Sequence, residues 1–408
     1  SMPQIKPEVE SFARIKVIGI GGSGKNTVNH MINSKVRGVD FIATNTDVQD
    51  LHHSLAKKKI HIGKNLTRGL GTGMNPDLGR RAVEETKEEI QEAIKGADMV
   101  FIAGGMGGGT ASGAAPVVAH TAKENGCLTV AVVTKPFFFE GQQRMKIAEA
   151  AIEELKQAVD ALIIIPNDRL LQTIDKDITA KNAFAICDNI LKEAVEGISD
   201  LITTPGIINI DFADIRSVME NAGAALMGIG SASGDNRAVD AARSAISSPL
   251  LEISINGAKG VLFSIAGGDD VTMFEIQDAA KIITESVDPN AKIIFGTVRD
   301  DKLKKGELKI TVIASNFPDN YSKKASSLFQ AFGHNENQTN KSASTTFTHT
   351  GQTGKVFNVV TPPLSHKETA KLATEDKKPE IKQVRPPMED NDDDWSAVPS
   401  FLRRSKLK

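Results

Sequence analysis

Short apolar runs alternate with amphipathic stretches through the first 165 residues of the chain. The apolar runs are rich in Val and Ile, stop at Gly, Asn or Pro, and predict buried strands. These strand candidates are 14–20, 39–44, 99–103, 128–133 and 162–166. The helical candidates between them are 25–34, 77–95, 114–124 and 141–159. This alternation predicts an α/β fold, in which a parallel sheet carries helices on both faces and binds ligands outside the carboxyl ends of its strands.

The pattern changes in the second half of the chain. Residues 179–203 carry a wide apolar stripe at helical spacing and predict one long central helix. A smaller mixed α/β unit follows, with strand candidates at 224–229, 260–265, 292–295 and 307–313. After Phe317 the chain is polar and cannot offset its ordering entropy by burial, which predicts disorder. The predicted divisions are 1–12 (flexible N-terminus), 13–178 (parallel-sheet domain), 179–203 (central helix), 204–317 (smaller domain), 318–390 (disordered linker) and 391–408 (terminal peptide).

A glycine-dense segment, 107–113, follows the third strand candidate and precedes a helix predicted to start near Ala114. Glycines let a backbone approach a ligand closely, and the free N–H groups of a first helical turn favour anions. The segment therefore predicts a phosphate cradle. A flexible linker is the alternative, disfavoured because linkers seldom lie between a buried strand and a helix.

The first strand candidate ends in a second glycine-rich turn, 19–27. It contains the G-x-G-x-x-G of dinucleotide-binding proteins, with Asp47 as the acid that such a site needs after the second strand. It also nearly fits the P-loop, with Asn26 where Ser or Thr would ligate magnesium. A nicotinamide-dependent oxidoreductase is thus one alternative function. A nucleotide with two or three phosphates, held by both glycine turns, explains both segments.

Composition narrows the function classes. The net charge of −2 gives no bias toward nucleic acid or membrane surfaces, and the apolar runs are too short to predict a membrane span. Cys127 and Cys187 both lie in apolar segments, which excludes a disulfide scaffold and favours a reducing compartment. The adjacent His52 and His53 have no third ligand nearby in sequence and are interpreted as surface residues.

Taken together, seven motifs resemble the tubulin and FtsZ family of GTPases. They are Gly21-Gly22 with Asn26; Asn45-Thr46-Asp47; 71–76 (GTGMNP); 105–110 (GMGGGT); 134–141 (TKPFFFEG) with Arg144; Pro166-Asn167-Asp168; and 209–214 (NIDFAD). The resemblance covers about 14–315 and roughly the last 15 residues. It implies a GTP-binding domain (13–178) and a C-terminal GTPase-activating domain (204–317), joined by the central helix. It also implies GTP as substrate and GDP as product, with Mg²⁺ on the phosphates and no side-chain metal site.

The resemblance assigns roles to individual residues. Those implied to contact GTP are Gly21, Gly22, Ser23, Asn26, Asn45, Asp47, Gly71, Thr72, Gly73, Gly105, Gly107, Gly108, Gly109, Thr110, Ala111, Gly113, Glu140, Arg144, Asn167, Phe184 and Asp188. Among them, Glu140 and Arg144 resemble ribose contacts, and Asn167 and Asp188 resemble guanine readers. A carboxylate can accept both N–H donors on guanine's Watson–Crick edge. The alternatives are a solvated helix face for Asp188 and plain core packing for Phe184, which could otherwise stack on the base.

The polar residues of the 209–214 motif can be interpreted either as a helix N-cap or as a catalytic loop. Asp211 and Asp214, before an apolar helical stretch, are typical of a helix N-cap. By resemblance, Asn209, Asp211 and Asp214 instead form a catalytic loop that completes the active site of the neighbouring subunit. That arrangement implies head-to-tail assembly into a filament, with hydrolysis dependent on polymerisation.

Three residues, Ala111, Ser23 and Lys25, depart from the family pattern. Ala111 adds a Cβ where the family has glycine, so an alternative function is a tubulin-like filament former that binds nucleotide but hydrolyses it poorly. Ser23 and Lys25 stand where Gly or Asn is more usual in the first glycine turn. For Lys25, phosphate contact and solvent exposure are both open, with solvent favoured.

The terminal peptide is similar to the tail motif of FtsZ, with Pro399 suited to the first turn of a short helix. The residues implied to dock on a partner are Trp395, Val398, Phe401, Leu402 and Arg403. The implied partners, besides the chain itself, are membrane-tethering and regulatory proteins of the bacterial division ring, with no nucleic acid and no membrane span. The implied location is the cytoplasm, at the mid-cell division site. A frayed, inert terminus is the alternative.

Overall fold

A computed structural model describes residues 13–172, 178–251 and 254–318. The strands are β1 (Ile15–Ile20), β2 (Val39–Asn45), β3 (Lys58–His61), β4 (Met99–Gly105), β5 (Leu128–Lys135), β6 (Ala161–Pro166), β7 (Gly223–Ser233), β8 (Gly260–Gly267), β9 (Lys292–Arg299) and β10 (Glu307–Ser315). The helices are α1 (Gly21–Asn33), α2 (Val48–His52), α3 (Lys64–Thr67), α4 (Pro76–Glu85), α5 (Lys87–Ile94), α6 (Gly109–Glu124), α7 (Gln142–Ala158), α8 (Asn167–Leu171), α9 (Ala180–Thr203), α10 (Phe212–Met219), α11 (Arg237–Ile246) and α12 (Met273–Glu285).

The strands form one sheet in the order β3-β2-β1-β4-β5-β6-β7-β10-β8-β9. The first six strands in that order pair in parallel, with Ile15 of β1 beside both Val39 and Met99. β7 continues the sheet through a short parallel pairing with β6. β10 pairs antiparallel with β7 and β8, and β9 lies parallel to β8. The predicted fold class, a parallel-sheet domain followed by a smaller mixed one, is confirmed for the described residues.

Alternating residues of the central strands enter two separate cores. Val17 belongs to the cluster that includes Leu191 of α9, whereas Ile18 belongs to the cluster that includes Val118 of α6. All four side chains are fully buried. A strand that is buried on both faces has an unbroken run of apolar residues, and for this reason these strands could be predicted from the sequence. A third cluster fills the smaller domain around β8, β10 and α11.

Several predicted boundaries were wrong. α1 and α6 begin at Gly21 and Gly109, so glycines predicted to form turns before the helices are themselves helical. The single helix predicted at 77–95 is two helices, broken at Thr86. β3 was not predicted. The predicted central helix agrees with α9, where the Thr179 hydroxyl accepts a hydrogen bond from the Asn182 N–H. The N-terminus, the terminal peptide and all of the linker except Pro318 lie outside the described residues.

The parallel sheet has two distinct edges. Its carboxyl edge carries the turns that lead into α1 and α6. α10 lies at the amino edge of the sheet. This is shown by Arg216 of α10, whose Nη2 donates to the carbonyls of Asp98 and Gly126, the residues that precede β4 and β5. The seven residues of β4, at about 3.3 Å each, separate the two edges by roughly 20 Å. No helix among the described residues is long and apolar enough to cross a membrane.

Candidate nucleotide-binding site

Two glycine turns meet at the carboxyl edge of the sheet, because β1 and β4 are neighbours. Gly21 and Gly107 have φ of 72° and 97°, a backbone conformation that favours glycine. A Cβ placed on Gly21 would lie 3.5 Å from the backbone nitrogen of Ala111. Neither α1 nor α6 has a side-chain N-cap. The first-turn N–H groups of two adjacent helices therefore converge on one place, which suits an anion.

Some glycines of the site are not required by packing. A Cβ added to Gly71, Gly73 or Gly108 would meet no atom within 4 Å, so these residues face open space that a ligand can enter. Gly109 and Gly113 differ, because a Cβ on either would overlap backbone near the start of α4. Their lack of a side chain lets α4 and α6 approach closely, in addition to any contact with phosphate.

The turn after β2 and the loop before α4 both meet the start of α6 through threonine hydroxyls. The Oγ1 atom of Thr110 lies 2.9 Å from Oγ1 of Thr46 and 3.3 Å from Oγ1 of Thr72. All three side chains are buried. The sequence predicted Thr72 and Thr110 as site residues but missed Thr46, although it lies between two predicted ones. This contact fixes the turns after β2 and β4 against each other.

Other predicted phosphate-side residues lie on α1, at the end of β4 and at the start of α2. Gly22, Ser23 and Asn26 lie in the first two turns of α1, and a Cβ on Gly105 would lie 3.0 Å from the Ser23 side chain. Asp47 caps α2 by accepting the Asp50 N–H at 3.0 Å. The structure thus brings the predicted phosphate residues to one edge of the sheet.

Asp188 is half-buried and hydrogen-bonded, rather than on a fully solvated helix face. Its Oδ1 atom accepts a hydrogen bond of 3.0 Å from the Thr27 hydroxyl of α1. Burial raises the pKa of this carboxyl to about 7, although the Thr27 hydrogen bond and the charge of Lys25 act in the opposite direction. The carboxylate is therefore held between α1 and α9 and changes its protonation state close to neutral pH.

Two further residues predicted to contact the base lie in this region. Asn167 begins α8 at the end of β6 and is buried, and its Oδ1 atom has no hydrogen-bond partner among the residues that the structure describes. A buried amide oxygen without a partner costs free energy, and a ligand N–H would satisfy it. Phe184 is half-buried and meets Phe137 edge to face, with 5.3 Å between ring centroids. Its partial exposure is compatible both with core packing and with stacking on a base.

Glu140 and Arg144 form an ion pair with 3.7 Å between Oε2 and Nη1. The other Glu140 oxygen accepts the Phe137 N–H at 3.0 Å. Burial raises the pKa of the Glu140 carboxyl and lowers the pKa of the Arg144 guanidinium. The pair is thus fixed beside the loop that carries the exposed Phe138 and Phe139.

Asn209, Asp211 and Asp214 are not part of this assembly. Asp211 caps α10 by accepting the Ala213 N–H at 3.2 Å, and Asn209 accepts the Gly206 N–H at 2.8 Å. Asp214 follows in the first turn of α10 and is exposed. These residues lie at the amino edge, so one molecule cannot apply them to a ligand at its own carboxyl edge. The N-cap interpretation of Asp211 is confirmed, and it leaves the Asp214 carboxylate exposed.

Two of the three departures from the family pattern, Lys25 and Ala111, are buried, and Ser23 is half-buried. Lys25 does not point to solvent, as favoured from the sequence; it is fully buried, with Nζ 3.0 Å from Oδ1 of Asp50. No local pattern indicated that Asp50, five residues beyond the end of β2, would pair with a lysine of α1. The methyl group of Ala111 packs into the core cluster and lies 3.4 Å from where a Cβ of Gly104 would be.

Comparison with known proteins identifies the family. Residues 14–175 match the model of the Tubulin/FtsZ family, GTPase domain, and residues 223–318 match the FtsZ family, C-terminal domain. A solved FtsZ dimer from M. jannaschii is 44% identical over 75% of this chain and 89% of its own, with a TM-score of 0.73. CetZ1 from Haloferax volcanii, solved as a GDP-bound monomer, is 22% identical over 78% of this chain and 99% of its own, with a TM-score of 0.66, and shows likeness of fold alone. This chain belongs to the FtsZ family of tubulin-like GTPases.

Proposed function

We propose that this protein binds GTP at the carboxyl edge of its sheet, polymerises head to tail, and hydrolyses GTP with Asn209, Asp211 and Asp214 of the adjacent subunit. The observation that carries the proposal is the placement of these groups at opposite edges. The nucleotide-side glycines and threonines lie at one edge, and the exposed Asp214 lies at the other. Each edge therefore lacks the groups that the opposite edge of a neighbouring subunit would supply.

A contact between unlike faces repeats without closing unless rotation closes a ring. If the carboxyl edge of one subunit meets α10 of the next, every added subunit presents a fresh half-site. The FtsZ of M. jannaschii has been solved as a dimer, which supports self-association in the family. The proposed product is a filament whose lifetime depends on the nucleotide held between subunits.

The proposed chemistry is attack of water on the γ-phosphate. Converging backbone N–H groups hold the phosphates, and a carboxylate from the next subunit orients and polarises the water. Mg²⁺ would be carried on the phosphates, where it would offset their negative charge. Among the described residues no group of three or more His, Cys, Asp or Glu could hold a metal ion. Asp188 and Asn167 would read guanine, with Glu140 and Arg144 beside the ribose.

Light scattering and phosphate release, measured in parallel with GTP, GDP and ATP, test this function. GTP alone is expected to raise scattering, and phosphate release per molecule is expected to rise with protein concentration. Equal response to ATP would refute the guanine assignment. Phosphate release that is independent of protein concentration would refute the shared active site.

We expect the affinity for guanine nucleotides to fall as the pH drops below about 7, because guanine's N–H donors require ionised Asp188. Below that pKa, a tenfold rise in proton concentration lowers affinity by up to about tenfold. Calorimetric titrations with GDP between about pH 6 and 8 measure this. Asp188→Asn is the control, since it leaves titration of the nucleotide itself unchanged. A parent profile that matches that of Asp188→Asn would contradict the assignment.

Ala111→Gly is expected to leave GTP affinity and turnover within about threefold of the parent, because the methyl group packs into the core. Glycine in place of alanine inside a helix lowers stability by about 1 kcal/mol. Phosphate release and urea unfolding of the same preparations separate the two effects. The poorly hydrolysing alternative requires the opposite result, a clear gain in turnover.

We propose in addition that the chain forms the cytoplasmic division ring at mid-cell and that residues 391–408, outside the described part of the structure, bind its membrane tethers and regulators. Deletion of 390–408 is expected to preserve GTP hydrolysis and assembly while abolishing tether binding. Phe401→Ala is expected to cause most of that loss, since a few aromatic anchors dominate peptide docking. Co-sedimentation with a tether and phosphate release measure both. Loss of GTP hydrolysis on deletion would instead show that residues 390–408 are needed for the GTPase activity.

A further inference from the structure

A buried ion pair joins the two helices that follow β1 and β2. Lys25 is fully buried and Asp50 is 2% exposed, with 3.0 Å between Nζ and Oδ1. Lys25 belongs to α1, which follows β1, and Asp50 belongs to α2, which follows β2. Removing two charges from water is expensive and needs good geometry together with further hydrogen bonds. The neighbours of Asp50 supply those bonds.

The second carboxylate oxygen of Asp50 begins a chain of hydrogen bonds that ends at Thr110. Asp50 Oδ2 accepts a hydrogen bond of 2.9 Å from the Asn45 amide Nδ2. The Asn45 amide oxygen in turn accepts the backbone N–H of Thr46 at 2.8 Å. The Thr46 hydroxyl lies 2.9 Å from that of Thr110 at the start of α6. One continuous polar path therefore runs from Lys25 to the centre of the phosphate site.

We propose that Asp50, with Lys25 as its counter-ion, is a positioning residue for the guanine nucleotide. It orients Asn45, which holds the turn after β2 in the register that places Thr46 against Thr110. Neither Lys25 nor Asp50 touches the nucleotide in this account. The inference rests on the proposed function, because the proposed function makes a guanine nucleotide the ligand of this turn.

The competing interpretation is a pair that only stabilises the fold. Replacing a buried ion pair by apolar residues of similar volume is often neutral for stability. Under that interpretation the apolar replacement binds nucleotide like the parent. Under the positioning interpretation it folds but binds weakly, because Asn45 has lost the acceptor that orients it.

Two double variants separate these interpretations. Lys25→Met/Asp50→Leu removes both charges and the acceptor for Asn45. Lys25→Met/Asp50→Asn removes both charges but keeps an amide oxygen in nearly the same place. The control is Lys123→Met/Asp160→Asn, which removes a lysine–aspartate pair of the same 3.0 Å length at the amino edge. GDP affinity is measured by calorimetry, folding by urea unfolding, and GTP turnover as KM and kcat separately.

We expect the leucine double variant to bind GDP at least tenfold more weakly and to show a raised KM with kcat within threefold. The asparagine double variant and the control are expected to remain within threefold of the parent in affinity. If the leucine variant does not fold, Lys25→Met/Asp50→Ala carries the same test. Parent-like affinity in a folded variant that lacks the acceptor would overturn the inference, as would an equal loss in the control. Failure of the parent to bind GDP would instead refute the proposed function.

Discussion

Asp214→Ala is expected to bind GTP like the parent and to assemble, yet to release phosphate about a hundredfold more slowly. The carboxylate is exposed in the first turn of α10, at the edge of the sheet opposite the glycine turns. Its loss leaves the nucleotide pocket of the same molecule intact. Misplacement of a group that positions the reactants commonly costs about two orders of magnitude in rate. Filaments of this variant should persist after the parent's have disassembled.

Glu220→Ala is the matched control for that variant. Glu220 is also an exposed carboxylate and lies at the opposite end of α10, beyond its last turn. Its removal is expected to leave phosphate release within twofold of the parent. Unchanged turnover in Asp214→Ala would show that Asp214 is only an acidic residue in the first turn of α10, with no role in hydrolysis. Equal slowing in both variants would indicate a general effect on α10.

Asp188→Ala is expected to lose most of the preference for GTP over ATP. The Asp188 carboxylate accepts a hydrogen bond from Thr27, and in the proposed function it also accepts guanine's two N–H donors. An unpaired buried donor costs about 1–3 kcal/mol, and about 1.4 kcal/mol corresponds to a tenfold change in affinity. Discrimination should therefore fall by about fivefold to about 140-fold. Competition between GTP and ATP for the purified protein measures it directly.

Asp200→Ala provides the control for base recognition. Asp200 lies on the same helix, α9, and burial likewise raises the pKa of its carboxyl to about 7. It lies toward the other end of α9, near the amino edge. Its removal is expected to leave nucleotide preference unchanged. Retained GTP selectivity in Asp188→Ala would show that guanine is read elsewhere.

The sequence predicted the fold well where burial alone determines structure. The strands of the parallel sheet are apolar on both faces, so β1, β4 and β5 stand out as short runs of Val and Ile. β3 was missed because only Ile60 of its four residues is buried and two lysines precede it. The helix break at Thr86 was also missed, because 77–95 keeps helical apolar spacing throughout.

Local chemistry was predicted less reliably than the fold. The glycines of α1 and α6 were assigned to turns because glycine disfavours helices, yet the first turns of a helix tolerate it where its N–H groups face a ligand. Lys25 was expected in solvent because lysine is rarely buried. Its partner Asp50 is 25 positions away, and the pairing depends on how β1 and β2 align. Such tertiary pairs leave no local pattern in one sequence.

Mixing two defective proteins tests the shared active site most directly. Asp214→Ala supplies an intact nucleotide pocket. Gly108→Asp supplies intact Asp211 and Asp214, while its new carboxylate projects into the open space at Gly108 and repels phosphate. At equal total concentration, the mixture is expected to release phosphate faster than the sum of its parts. If sedimented filaments contain both proteins and the mixture is no faster than that sum, the active site is not shared between subunits.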